Sequence, residues 1–188
     1  EGGNHFIHAA KRNPDITVLV HNNEVYGLTT GQAAPTAEVG MVTKSTPTGV
    51  IDPPFTPSSL GIFAGATFAA RGFAGDIPGL TQLIMQAISH KGFSVLDILQ
   101  PCVTFDKVHT YGWYRQRLYT LEKEGYVPNH KIQAIEKAME RGDRIPIGIL
   151  YKEEKPTSED REPALAGGPL VKASIGGEQR EELLKEFI

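Results

Sequence analysis

Apolar residues fall along this chain in two patterns. Unbroken runs occur at "ITVLVHN" (16–22), "TFAARGF" (67–73), "FSVLDILQ" (93–100) and "IPIGILYKE" (145–153). Runs of this length, rich in β-branched residues, predict strands, and the first reads as one buried on both faces of a parallel sheet. Between them the apolar positions recur at helical spacing. "NHFIHAAKRN" (4–13) gathers Phe6, Ile7, Ala9 and Ala10 on one face, and Pro14 ends it. "PSSLGIFAGA" (57–66) predicts a second helix. "IPGLTQLIMQAISHKG" (77–92) predicts a third, with Pro78 in its first turn, a stripe of Leu80, Leu83, Ile84, Ala87 and Ile88, and a stop at Gly92. Helix and strand alternating in this way predict a doubly wound, mostly parallel α/β sheet.

The pattern changes after Cys102. "TYGWYRQRLYTLEKEG" (110–125) is aromatic and basic and reads as a helix; "KIQAIEKAMERG" (131–142) reads as an amphipathic one. Residues 33–58, rich in Pro, Thr and Gly, form a long loop of the kind that carries function or meets a partner. The predicted organisation is one domain over 1–153, then an extended tail over 154–188 with a short helix at 178–187.

Composition narrows the possibilities by exclusion. The chain of 188 residues is 40% hydrophobic and 22% charged, with a net charge of −3, which fits a globular domain and not a nucleic-acid-binding surface. The acidic excess lies beyond Leu150, where nine acidic residues face six basic ones. No apolar run is long enough to cross a bilayer. The single cysteine, Cys102, excludes an internal disulfide and fits a reducing, cytoplasmic setting.

The candidate chemistry sits where the first strand stops, in "HNNEVYGLTTGQ" (21–32). In an open α/β sheet, ligands bind beyond the carboxyl ends of strands. Asn22 and Asn23 lie at such an end, and an amide oxygen is a hard ligand suited to Mg²⁺. Gly27 permits close approach, Leu28 and Thr29 open what reads as a helical turn able to attract an anion, and Thr29 and Thr30 add hydroxyls. A metal-bound diphosphate suits this arrangement. So does an ordinary Asx turn followed by glycine, and the spacing alone does not separate the two.

Longer stretches carry a resemblance. "GGNHFIHAAKRN…NNEVYGLTTGQAAPT", "HKGFSVLDILQPCVTF" and "GDRIPIGILY", in this order and separation, resemble the β subunit of 2-oxoacid:ferredoxin oxidoreductases. The resemblance implies the thiamine diphosphate-binding fold. It implies that Asn23, by its side chain, and Val25, by its carbonyl, ligate Mg²⁺, with Gly27, Leu28 and Thr29 at the cofactor and Asn22 in support. The family's Gly-Asp-Gly element is expected upstream of residue 1. Cys102, by default a small buried hydrophobe, matches in "LQPCVTF" a thiolate ligand of a 4Fe-4S cluster, whose other three cysteines are expected in that same upstream region.

The implied activity is oxidative decarboxylation of a 2-oxoacid such as pyruvate to acyl-CoA and CO₂, with electrons passed to ferredoxin. The implied partners are an α (or fused γ–α) subunit, ferredoxin and coenzyme A, and no catalytic side chain is expected from this chain. Thr30 departs from the family's "YGLTKGQ", removing a cation that would meet a distal carboxylate. A thiamine diphosphate decarboxylase or lyase without electron transfer, and a non-catalytic subunit, are the alternatives. Of the remaining residues, His5 reads as a helix-start or cofactor-supporting histidine, and the histidines show no zinc spacing. "GWYRQRLY" (112–119) reads as a partner interface, with Arg115 and Arg117 as candidates for coenzyme A phosphates.

Overall fold

The computed structural model describes residues 2–172 and 176–186. Its strands are β1 (Thr17–Asn22), β2 (Val25–Tyr26), β3 (Gln32–Ala33), β4 (Phe68–Phe73), β5 (Ser94–Leu99), β6 (Leu118–Thr120) and β7 (Ile145–Lys152). Its α-helices are α1 (Gly3–Arg12), α2 (Pro57–Ala64), α3 (Ile77–Ser89), α4 (Tyr111–Arg115), α5 (Lys131–Met139), α6 (Ser158–Arg161) and α7 (Gly177–Lys185). The main sheet has the order β1-β5-β4-β7-β6, and β2 and β3 form a separate antiparallel hairpin. Strands β1, β5 and β4 are mutually parallel, as are β6 and β7, but β7 runs antiparallel to β4.

Every residue of β4 and β5 is buried, as their unbroken apolar runs require of central strands. One face of the sheet is covered by α1, α2 and α5, which contribute Ala10, Ile62, Ala134 and Ala138 to a core with Phe93, Val95 and Leu150. The other is covered by α3, whose Leu80, Leu83, Ile84 and Ala87 meet Phe68, Ala70, Leu96 and Ile98. Ile88 falls outside that stripe and is 63% exposed. Helices on both faces make the sheet doubly wound, as the pattern predicts.

Three expectations are corrected. Strand β1 is not sandwiched: among the described residues it is one of the two edge strands of the main sheet, and its Leu19 is exposed. Residues 110–125 are not one helix. After α4 the chain turns into β6, because Leu118–Thr120 pair with Ile145–Ile147, and a 3-10 turn over Leu121–Glu124 closes at Gly125 (φ 71°). Tertiary pairing overrides the local helical pattern there. The tail also holds structure. Thr157 and Asp160 form a reciprocal capping box that starts α6. Val171 and Lys172 are still described, whereas residues 173–175 of the expected tail, and Phe187 in the expected terminal helix, lie outside the described residues.

Asn13 fastens several of these pieces. It ends α1 in the left-handed region (φ 57°), just ahead of Pro14. Its buried amide oxygen accepts from Phe93 N (2.8 Å) and Thr67 Oγ1 (2.9 Å), and its Nδ2 donates to Pro156 O (3.1 Å). One side chain thus joins α1, the entries of β4 and β5, and the tail.

Candidate cofactor site

The parallel strands β1, β5 and β4 end together, and the residues singled out by sequence gather at that edge. Asn22 pairs with Leu99 in the ladder, and Gln100 N donates to Asn22 O (2.9 Å). Asn23 is therefore one residue past the paired ends, and Cys102 three residues past on the neighbouring strand. Asn22 is buried and fully engaged: its Nδ2 donates to Asp97 Oδ1 (3.3 Å) and its Oδ1 accepts from Thr36 Oγ1 (2.7 Å). These hydrogen bonds hold the strand end to β5 and to the long loop.

Asn23 Oδ1 accepts from Val25 N (3.2 Å), an Asx turn with Glu24 at its centre. Asn23, Val25, Gly27, Leu28 and Thr29 line one open groove of about 500 Å³. The segment after Val25 is not a helical turn. Gly31 N donates to Tyr26 O (2.9 Å) and Thr30 N to Gly27 O (3.2 Å), so residues 27–31 are the bend of the β2–β3 hairpin. Thr30 (φ 74°) and Gly31 (φ 94°) both take left-handed conformations, which a helix start cannot contain. Leu28 projects from this bend 99% exposed, and Thr29 Oγ1 bonds Gln32 Oε1. The neutral oxygens at Asn23 and Val25 are of the kind Mg²⁺ takes when phosphate and water complete its shell, so the donor set fits part of a Mg²⁺–diphosphate site.

Beneath the groove lies a charged network that sequence reasoning missed. Arg71 in β4 and Asp97 in β5 form an ion pair (3.1 Å) with both side chains buried, and Arg71 Nη2 donates to Ala138 O (2.6 Å). Glu24 is 4% exposed; its Oε1 accepts from Tyr114 OH (3.4 Å) and lies 3.6 Å from Arg141 Nη1. Burial raises the Glu24 carboxyl above its ordinary range, against the pull of His109 and Arg141.

His109 sits between two carboxylates, Nδ1 at 2.7 Å from Asp106 Oδ2 and Nε2 at 3.3 Å from Glu38 Oε2. Burial by itself would lower its pKa, but the hydrogen bonds to Asp106 and Glu38 outweigh it and hold the imidazolium to about 10. His109 in turn lowers the carboxyl of Glu38, and it also lowers that of Asp106 against the opposing effect of burial. One signal was present in the sequence. A lone arginine in "TFAARGF" and a lone aspartate in "FSVLDILQ" are opposite charges in two wholly apolar strands, and buried charges are paired.

The other candidates separate. Cys102 is a half-buried free thiol, and with a single cysteine in the sequence the chain offers one of the four thiolates a 4Fe-4S cluster needs; alone it does not fit the cluster. His5 and His8 are exposed on α1, and among the described residues no group of three His, Cys, Asp or Glu side chains is placed to hold a metal. In the aromatic run "GWYRQRLY", Tyr114 is buried with Phe73, Leu99 and Ile145 and Trp113 meets His109 edge-on, while Gly112, Arg115 and Gln116 stay exposed. Arg115 is exposed, and the Arg117 guanidinium stacks 4.3 Å over the Trp113 ring. No helix of the described residues is long and apolar enough to cross a membrane.

Known proteins resemble this chain in sequence and in fold. Residues 1–98 match the family model of the thiamine pyrophosphate enzyme, C-terminal TPP binding domain, and residues 102–167 match that of the C terminal of the pyruvate ferredoxin oxidoreductase beta subunit. The chain is 45% identical over 163 residues to the 2-oxoacid:ferredoxin oxidoreductase subunit beta of Saccharolobus solfataricus, covering 81% of this chain and 53% of that protein. It is 51% identical over 105 residues to the 2-oxoglutarate oxidoreductase subunit KorB of Mycobacterium tuberculosis, covering 56% of this chain and 28% of that one. A solved 2-oxoglutarate:ferredoxin oxidoreductase from Magnetococcus marinus, with 2-oxoglutarate, coenzyme A and succinyl-CoA bound, superposes with a TM-score of 0.86 at 30% identity, covering 98% of this chain and 62% of that one. The chain spans about half the length of the first of these relatives. With its fold and its sequence in agreement, the chain belongs to the thiamine pyrophosphate enzymes, and along both halves it is similar to 2-oxoacid:ferredoxin oxidoreductase β subunits.

Proposed function

We propose that this chain is the cofactor-holding portion of a β subunit that, with an α or fused γ–α partner, converts a 2-oxoacid and coenzyme A to acyl-CoA and CO₂ in the cytoplasm and delivers the electrons to ferredoxin. The observation that carries this reading is the placement of Asn23 and Cys102 just beyond the ends of two hydrogen-bonded parallel strands. Residues 1–153 form the thiamine diphosphate-binding unit, and the tail from residue 154 reaches toward the partner.

Asn23 Oδ1 and the Val25 carbonyl bind Mg²⁺, and Gly27, Leu28 and Thr29 border the cofactor. When bound, thiamine diphosphate supplies the nucleophilic carbon that attacks the keto group and takes up the electron pair released with CO₂. Exposed Leu28 meets the cofactor or the partner chain and keeps water from the reacting centre. Cys102 contributes one thiolate to a 4Fe-4S cluster whose remaining cysteines lie elsewhere in the whole protein. Arg115 lies on the exposed surface where a coenzyme A phosphate is to be sought.

The test is made on the full-length β subunit purified with its partner. It should bind thiamine diphosphate only with Mg²⁺ and reduce ferredoxin when given a 2-oxoacid and coenzyme A, and Asn23→Ala should abolish cofactor binding without unfolding the protein. Release of CO₂ with no electron transfer would replace this reading with a decarboxylase, and absence of cofactor binding would replace it with a non-catalytic subunit.

A further inference from the structure

Three side chains from distant parts of the chain converge on one small cavity below the Asn23–Val25 turn. Glu24 comes from the turn itself, Arg71 from the middle of β4 and Arg141 from the loop after α5; the cavity is about 10 Å³. Glu24 and Arg71 are 4% and 1% exposed. Each of the three has one buried polar atom without a protein partner: Glu24 Oε2, Arg71 Nη1 and Arg141 Nε. An unmet buried hydrogen-bonding group costs about 1–3 kcal/mol, so three around one space call for a common ligand.

The chemistry of that ligand is constrained. Two guanidinium N–H donors exclude a metal cation, and a carboxylate oxygen disfavours an anion. A water molecule satisfies all three, accepting from both arginines on its lone pairs and donating to Glu24. The volume is about that of one water, and three hydrogen bonds are typical of a buried one.

The backbone is also strained at Glu24. It is a non-glycine residue at φ 62°, flanked by the two residues proposed to bind Mg²⁺. Its carbonyl accepts from Ala34 N (3.0 Å), so it is held at backbone and side chain alike. Such a conformation persists only where its surroundings over-determine it.

We propose that one buried water joins Glu24, Arg71 and Arg141, and that through this knot Glu24 is a positioning residue that sets Asn23 Oδ1 and the Val25 carbonyl for Mg²⁺. The positioning role rests on the functional reading above; the water does not. The full-length β subunit assembled with its partner is the material for the test. A high-resolution crystal structure should show an ordered water within hydrogen-bond distance of Glu24 Oε2, Arg71 Nη1 and Arg141 Nε. Calorimetric titration of Mg²⁺ in the presence of thiamine diphosphate, on folded protein, should show Glu24→Ala weakening Mg²⁺ by about 10–100-fold and Glu24→Gln by less. Glu124→Gln, at an exposed ion pair with Arg144, should leave it unchanged.

A purely structural role would lower the melting temperature but spare the affinity of the folded protein, and that result overturns positioning. A dry cavity overturns the water. If Glu24→Ala does not fold, Arg141→Met, at the more exposed side of the knot, must weaken Mg²⁺ in the same direction or the proposal fails. Wild-type protein that binds no Mg²⁺ with thiamine diphosphate overturns the functional reading and the positioning role together, while the crystal structure still decides the water.

Discussion

Phe105 occupies the place that a side chain on Gly31 would need: a Cβ built there lies 2.8 Å from Phe105 Cδ1. Gly31 closes the hairpin that follows the Asn23–Val25 turn, and Phe105 belongs to the loop that begins at Cys102. The two stretches tied by resemblance to the cofactor and to the cluster therefore touch. Gly31→Ala meets both this clash and a strained φ of 94°, and it should cost about 2–4 kcal/mol in thermal or urea denaturation. Adding Phe105→Ala should recover only the clash. Full recovery in the double variant would mean that the backbone strain is negligible.

The buried Arg71–Asp97 pair should behave asymmetrically. Asp97→Asn or Arg71→Met alone leaves an uncompensated charge or an unfilled partner and should cost about 3–5 kcal/mol. Because Asn22 Nδ2 also leans on Asp97, Asp97→Asn should in addition loosen the strand end. A double-mutant cycle in urea should return a large coupling energy between positions 71 and 97. Additive losses would show that the pair acts as two independent side chains.

His109 predicts a pH dependence with a definite sign. Its folded pKa of about 10 lies above the ordinary 6.5, so its contribution to stability is complete below that ordinary value and is lost as pH rises through about 10. Asp106 and Glu38 are lowered from 3.8 and 4.5, so their contribution is present above those values and is lost on acidification. His109→Gln should remove about 3 kcal/mol near neutral pH and flatten the alkaline limb of the stability profile. An unchanged alkaline limb would mean that the imidazole is neutral in the folded protein.

Thr30 stands at φ 74°, unfavourable for a β-branched residue. Thr30→Lys should be tolerated or slightly stabilising, and in the full-length assembly it should lower the KM for 2-oxoglutarate relative to pyruvate by offering a cation to the distal carboxylate. An unchanged ratio of the two KM values would place the substrate's far end elsewhere.

The chain by itself should hold no cluster. With one cysteine, reconstitution of the 188-residue chain with iron and sulfide should leave no stoichiometric iron after gel filtration. Retained iron would require ligands other than thiolates.

The elements that sequence revealed best are those in which local and tertiary demands agree. β4 and β5 are apolar apart from Ser94 and the paired Arg71 and Asp97 because both faces are covered, and α3 shows its stripe because a single face meets the sheet. Residues 118–120 read as helix because their strand character comes from β7, 27 positions away, and not from their own neighbours. The bend at 27–31 misled because a hairpin is fixed by its return strand at Gln32–Ala33, which is too short to show an alternating pattern. Asn22, Asn23 and Cys102 were legible within short motifs, whereas Glu24, Glu38, Asp106, His109 and Arg141 become a site only when the chain is folded. Each carries an ordinary surface-type side chain, and no periodicity announces that these five will come together.

The antiparallel seat of β7 imposes an order on synthesis. Phe68 of β4 is registered with Lys152, so β4 emerges from the ribosome long before its neighbour exists. Until then β4 has one open side, and Arg71 lacks the Ala138 carbonyl. A nascent chain halted before residue 138 would hold a charged strand with its counter-groups incomplete. The Asn23–Val25 turn, though encoded near the start, gains the ion pair of Glu24 with Arg141 only once residue 141 has been made.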